Sequence, residues 1–172
     1  MVFGQLSANA HPTATIFTEL THQKRAAALE TDDEEFVTEA AQGAWLEVKL
    51  GELAKTNASA KVVKDFGKMM IADHSNDFDE LKSLAKRMKI TIPSGLSKKG
   101  QREYDKLAKV TGHEFDKEYM DAMVEDHNVD IDEFSESIDE SKDANVKAWI
   151  VKSLPTLRHH LDLAKSGYAE VK

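Results

Sequence analysis

Apolar and small residues recur along four stretches of the chain at alternating steps of three and four, the spacing of one face of an α-helix. The first line is Phe36, Ala40, Gly43, Glu47, Leu50 and Ala54. It predicts a helix over 33–57, capped by Thr31 or Asp32, with acids in its first turn and a stop near Asn57. The second line, Val63, Gly67, Met70, His74, Phe78, Leu81, Ala85 and Met88, predicts a helix from Ser59, as cap, to about Lys89. The short link between them suits an antiparallel hairpin. The third, Asp116, Met120, Met123, His127, Ile131, Phe134 and Ile138, covers 113–140. The fourth starts near Asp143 with Val146, Ile150, Leu154, Leu157, Leu161 and Ala164, and Pro155 inside it predicts a kink.

Between the second and third lines, Ile90 to Gly112 holds Pro93, Gly95, Gly100 and Gly112, with a short helix expected over Gln101–Val110. This stretch is long enough to cross the length of a bundle. Hairpin, crossover, hairpin is the connectivity of ferritin-like bundles. The expected fold is therefore all-α: a ferritin-like four-helix bundle with a long crossover between helices 2 and 3 and an extra N-terminal helix over Phe17–Glu30. The expected divisions are an N-terminal tail over 1–32, the bundle over 33–167 and a C-terminal tail over 168–172.

Composition narrows the chemistry. A chain of 172 residues with 41% hydrophobic and 31% charged residues and three prolines has the makings of a single packed helical domain. Its net charge of −8 argues against a nucleic-acid partner. Cysteine is absent, which excludes disulfides, iron–sulfur clusters, thiolate zinc sites and cysteine nucleophiles. A metal would have to be held by His, Asp or Glu. No apolar run reaches the roughly 20 residues of a transmembrane segment. Leu6 to Ala10 resembles the small-residue end of a secretory signal, with Ala8 and Ala10 at cleavage spacing, but the charged and apolar regions that should precede it are missing.

The chemistry concentrates in a repeat. Met70 to Leu81 matches Met123 to Phe134 without a gap, at a constant offset of 53, and pairs Asp73-His74 with Asp126-His127. The chain reads as duplicated. A full-length crossover makes the second and third helices parallel, so His74 and His127 are expected at similar depths across the core. Each segment also reads His-x-x-Asp, placing Asp77 and Asp130 one turn from His74 and His127. Such a carboxylate can join the imidazole as a ligand or hold its second nitrogen, and Asp73 and Asp126 are alternative holders.

Glu47 interrupts the first apolar line, and a carboxylate on a core line is costly unless paired or metal-bound. Of His159 and His160 only one can face inward, and Leu161 on the core line favours His160. The candidate metal ligands are thus Glu47, His74, His127, His160, Asp77 and Asp130, with Asp73 and Asp126 behind them. Counted from the hairpin at about 1.5 Å per residue, His74 lies opposite Gly43 or Gln42 more nearly than Glu47, which argues against a compact four-ligand site. The methionines Met69, Met70, Met120 and Met123 read as core filler, with a copper–thioether role as the alternative. No Ser-His-Asp order, phosphate-binding glycine loop or HExxH motif is present.

With these residues assembled, the chain resembles the bacterial envelope family named domain of unknown function 4142, a ferritin-like group often labelled outer membrane proteins. The likeness covers about Glu35 to Ser166 and rests on Phe36-Val37, Ala40-Ala41-Gln42-Gly43, Glu47-Val48, Leu50-Gly51, Met70 and Asp73-His74. It continues through Gly112, Phe115-Asp116, Tyr119, Met123-Val124, Asp126-His127, Leu154-Pro155, Leu157 and His160-Leu161. The resemblance implies the bundle fold and export to the periplasm or envelope. The missing signal peptide keeps a cytoplasmic location open. Its pattern falls on Glu47, Asp73, His74, Asp126, His127 and His160. It adds no reaction, and the Glu-x-x-His pairs of di-iron ferritins are lacking over the expected bundle, 33–167.

The expected function is a non-enzymatic or weakly redox-active metal-binding bundle of the cell envelope, with a stress-related role, holding Zn, Fe or Cu. The alternative is a structural or interaction module in which the Asp-His pairs are buried polar braces. A di-metal oxidative enzyme is a third possibility. Homo-oligomer formation and an envelope protein partner stay open.

Overall fold

The computed structural model describes the backbone of residues 13–172 and the side chains of 32–172. The signal-like Ala8 and Ala10 lie outside the described residues. Among the described residues five helices follow in order: α1 Thr13–Asn57, α2 Lys61–Met88, α3 Lys98–Leu107, α4 Gly112–Glu140 and α5 Ala144–Val171. There are no strands among the described residues. The fold is the expected all-α bundle. α1 pairs with α2 and α4 with α5 as hairpins, and residues 89–111, with α3 inside them, form the long crossover.

Two expectations at the ends change. The N-terminal helix is not a separate element, because α1 passes unbroken through Thr31 and Asp32, the residues expected to cap it. α5 runs to Val171 through the expected C-terminal tail, since Val171 is buried and packs with Tyr168 on the lower core. α5 also continues through Pro155, which sits on its exposed face.

Buried carboxylates fix both hairpins. Ser59 is the expected cap of α2, but α2 starts at Lys61 with no side-chain cap, and Asp116 of α4 holds the two backbone N–H groups just before it. Asp116 accepts from Ser59 N and Ala60 N, each at 2.9 Å, and from the Ser59 hydroxyl. That explains why an acid stands on the core line of α4. At the other end Asp33 accepts from Lys142 N at 3.0 Å and Asp143 N at 2.8 Å, tying α1 to the α4–α5 turn. Asp143 then caps α5 itself.

The apolar core is cut in two. One cluster gathers Leu50, Ala54, Val63, Phe66, Met70, Phe115, Tyr119, Met120, Met123 and Ala164. The other gathers Val37, Ala41, Ala44, Leu81, Leu84, Phe134, Trp149, Ile150 and Leu157. On every long helix the residue lying between the clusters is polar: Glu47, His74, His127 and His160. The methionines Met70, Met120 and Met123 are apolar packing, as read from sequence. On α1 the buried line in the upper half is Val37, Ala41 and Ala44, one residue from the expected Phe36, Ala40 and Gly43, which are half-buried.

The α1–α2 register is set by two glycines in close contact. A Cβ on Gly67 would stand 2.6 Å from the Ala54 Cβ and 3.1 Å from Gly51 O. Gly67→Ala is therefore expected to lower stability by about 1–2 kcal/mol, overpacking outweighing the gain in helix propensity. Gly43→Ala, with nothing within 4 Å, should instead raise it by about 0.5–1 kcal/mol. Urea midpoints at constant slope measure both.

Candidate metal centre

Each long helix contributes one polar side chain to the layer between the two core clusters. Glu47 and His74 are 2% exposed, and His127 and His160 are fully buried. His159 points to solvent, so the choice of His160 from sequence agrees with its burial.

The expected mismatch in depth between Glu47 and His74 does not occur. His74 Nδ1 lies 2.9 Å from Glu47 Oε2. Helical side chains lean toward their own N-terminus. In an antiparallel pair the α1 side chain therefore leans away from the hairpin and the α2 side chain toward it, which closes a gap counted from Cα positions. The contact of Gly51 with Ile71 fixes the same register, and Glu47 and His74 are its next turn.

The three imidazole ring centroids are 5.1–6.0 Å apart. One nitrogen from each lies within 4.8 Å of the others. The second nitrogens are differently held. His127 donates Nδ1–H to Met123 O at 2.9 Å, and His160 donates Nε2–H to Asp73 Oδ2 at 2.9 Å. His74 Nδ1 faces Glu47 and, at 3.4 Å, Asp77 Oδ2. The Met123 carbonyl and the Asp73 carboxylate accept, so His127 and His160 carry their protons there and keep a lone pair on the other nitrogen. A proton on His74 Nδ1, toward Glu47 and Asp77, leaves the same on its Nε2. Those nitrogens, His74 Nε2, His127 Nε2 and His160 Nδ1, are all buried without a hydrogen bond. This is the tautomer control found at histidine metal ligands.

The two matched segments are not used alike. Asp73 serves His160 across the bundle and Asp77 lies beside its own His74. Asp126 and Asp130 instead gather with Glu47, one carboxylate oxygen from each within 4.8 Å of the others. Sequence reasoning had set Asp130 beside His127 and Asp126 behind it. The grouping with Glu47 was missed, although spacing of four on one face of α4 is its signal. Nothing in the sequence pointed to the Asp73–His160 link, nor to Lys99 and Glu103 of α3 at the rim of the adjoining cavity of about 420 Å³. Glu47 Oε1 is also without a hydrogen bond, 3.5 Å from His127 Nε2.

In the absence of a cation, burial drives the groups of this layer toward their uncharged forms. Burial, with the charges of Asp77 and Glu103, holds Glu47 well above its ordinary value. Burial and Glu47 push Asp126 up to about 7, and burial, Glu47 and Asp126 push Asp130 up to about 9. Burial, reinforced by the neighbouring rings of His74 and His160, lowers His127 to about 3. Burial also lowers His74 and His160 against the pull of nearby aspartates. The imidazoles are thus free bases over the whole neutral range, as metal ligation requires.

Residues 18–166 match the family described as "Domain of unknown function (DUF4142)". The chain belongs to the DUF4142 family. No curated protein matches it in sequence. Among solved structures this DUF4142 chain is similar to CopM in the Cu(II)-bound form, with a TM-score of 0.68 at 17% identity, covering 80% of this chain and 96% of that one. A likeness at that identity concerns the fold. No helix among the described residues of this DUF4142 protein is long and apolar enough to cross a membrane.

The shifted carboxyls predict how the metal-free protein responds to pH. Asp130 keeps its proton when folded up to about 9 but releases it near 3.8 when unfolded. Stability is therefore lost as pH rises between those values. His127 acts oppositely between about 3 and 6.5 and no longer contributes above that window. Chelated protein should lose about 1.4 kcal/mol per pH unit for each such proton between pH 6.5 and 9. Denaturant midpoints across that range measure the slope, and Asp130→Asn should flatten it.

Proposed function

We propose that the chain is a metal-binding helical bundle whose site is the polar layer at its centre, with His74 Nε2, His127 Nε2 and His160 Nδ1 as nitrogen ligands and Glu47 as the carboxylate beside them. One observation carries this reading: each of three buried imidazoles has one nitrogen beside an oxygen, hydrogen-bonded in His127 and His160 and 2.9 Å from Glu47 Oε2 in His74, and the other nitrogen without a hydrogen bond among the described residues. A polar brace, the competing reading, would satisfy both nitrogens, because an unmade buried hydrogen bond costs about 1–3 kcal/mol. Asp77, Asp73 and the Met123 carbonyl act as outer partners that orient the rings.

Three imidazoles and a carboxylate, with no thiolate, suit Cu(II), Zn(II) and Fe(II). Copper is the first to test, since CopM, of similar fold, has been solved with Cu(II) bound. The reading is of a protein that binds, carries or buffers a metal ion. Its place in the bacterial envelope follows from the family resemblance, and that location and a stress-related role form part of the proposal.

Chelated protein given Cu(II) or Zn(II) at about a hundred times the dissociation constant should gain about 2.7 kcal/mol, a rise in melting temperature of roughly 5–10 °C for a domain of this size. His74→Ala/His127→Ala should abolish the rise. Elemental analysis of purified protein should find metal in the parent and none in the variant. Metal content and melting that are the same in both would refute the site.

A further inference from the structure

The donors of the central layer do not form one set. Beside the three nitrogens stands an oxygen-only group, with one carboxylate oxygen each from Glu47, Asp126 and Asp130 within 4.8 Å of one another. Acidic clusters are common on protein surfaces and mean little there. This one has Glu47 in it, 2% exposed, with Oε1 forming no hydrogen bond among the described residues. Asp126 and Asp130 are half-buried beside it, and carboxylates brought together with so little water repel one another unless protons or a cation stand between them. The ammonium of Lys99 lies at the cavity rim and forms no ion pair with any of the three among the described residues.

We infer a second cation site, formed by Glu47, Asp126 and Asp130, for a hard divalent ion such as Mn(II), with Glu47 shared between it and the three-histidine site. The inference rests on the reading of the histidine layer only in that sharing: Glu47 Oε2 lies 2.9 Å from His74 Nδ1 and Oε1 3.5 Å from His127 Nε2, while the same carboxylate belongs to the oxygen group. Three carboxylates and no nitrogen favour Mn(II), Mg(II) or Ca(II) over copper. Such ions need further oxygen ligands. The adjoining cavity of about 420 Å³ reaches all three carboxylates from the side of the crossover and has room for the waters that would supply them. It also gives an ion a route in, past Glu103 and Ser97, to the three carboxylates and to His74, which lines the same cavity.

The test uses the full chain and two probes, Mn(II) and Cu(II), with affinities read by electron paramagnetic resonance of free Mn(II) and by equilibrium dialysis. The parent is expected to bind both ions together. Asp126→Asn/Asp130→Asn, which preserves side-chain volume, should weaken Mn(II) at least tenfold and leave Cu(II) within about threefold. His74→Ala/His127→Ala should do the reverse. A parent that takes up no Mn(II) at 1 mM, or a carboxamide variant that binds it as well as the parent, overturns the second site and leaves the histidine site standing. Loss of Cu(II) binding everywhere, with Mn(II) still lost in the carboxamide variant, overturns the histidine site alone. A measurement on unmutated protein removes any dependence on how the variants fold: Mn(II) added to the Cu(II)-loaded parent should broaden the copper resonance, because a shared carboxylate holds the two ions close. An unchanged copper resonance at saturating Mn(II) overturns the sharing and with it the inference.

Discussion

Everything at the centre of this bundle follows from the cost of burying lone pairs that nothing satisfies. Imidazole and carboxylate groups taken out of water must find hydrogen-bond partners, lose their charge or meet a cation. Here the first remedy is half used. Each ring has one nitrogen matched with an oxygen, and the other left bare. The second is reflected in the acidities, which burial drives so that acids keep protons and histidines stay neutral. The third remedy would meet the bare nitrogens and the crowded carboxylates together.

The fold supplies that layer by spacing rather than by special local structure. All four long helices present an apolar line, and each is interrupted by a polar residue at the height where the two core clusters part. Close approach of Gly51 and Gly67 sets the α1–α2 register, while Asp116 and Asp33 tie the hairpin ends to the opposite pair. The glycine contact lies one turn from Glu47 and the two aspartates lie at the bundle ends, and none of them touches a histidine. They nonetheless decide whether Glu47 meets His74, because a slip of one helical turn would move the carboxylate about 5.4 Å along its axis.

The helices were legible because a period of three and four is written in every long segment, and the parallel setting of α2 and α4 followed from the length of the crossover. His160 was legible over His159 for the same reason, through its neighbour Leu161 on the core line. What failed was anything that depends on direction within a turn. Counting Cα depth set Glu47 opposite the wrong residues because it ignored the lean of the side chains. Ser59, the nearest residue of the right type, reads as the cap of α2, but its hydroxyl and the backbone N–H groups of Ser59 and Ala60 are taken by Asp116, far along the chain. The matched segments suggested equal roles for Asp77 and Asp130. Helix packing breaks that equality, since α2 turns its aspartates to α5 and its own histidine, and α4 turns its aspartates to α1.

The most direct measurement is an anomalous-difference map from crystals of the Cu(II)- or Zn(II)-loaded protein, collected across the absorption edge of the metal. A single strong peak should stand inside the bundle, about 2.0–2.1 Å from His74 Nε2, His127 Nε2 and His160 Nδ1. A peak confined to surface carboxylates or to His159, with the central nitrogens left as they are, would contradict the assignment of the polar layer as a metal centre.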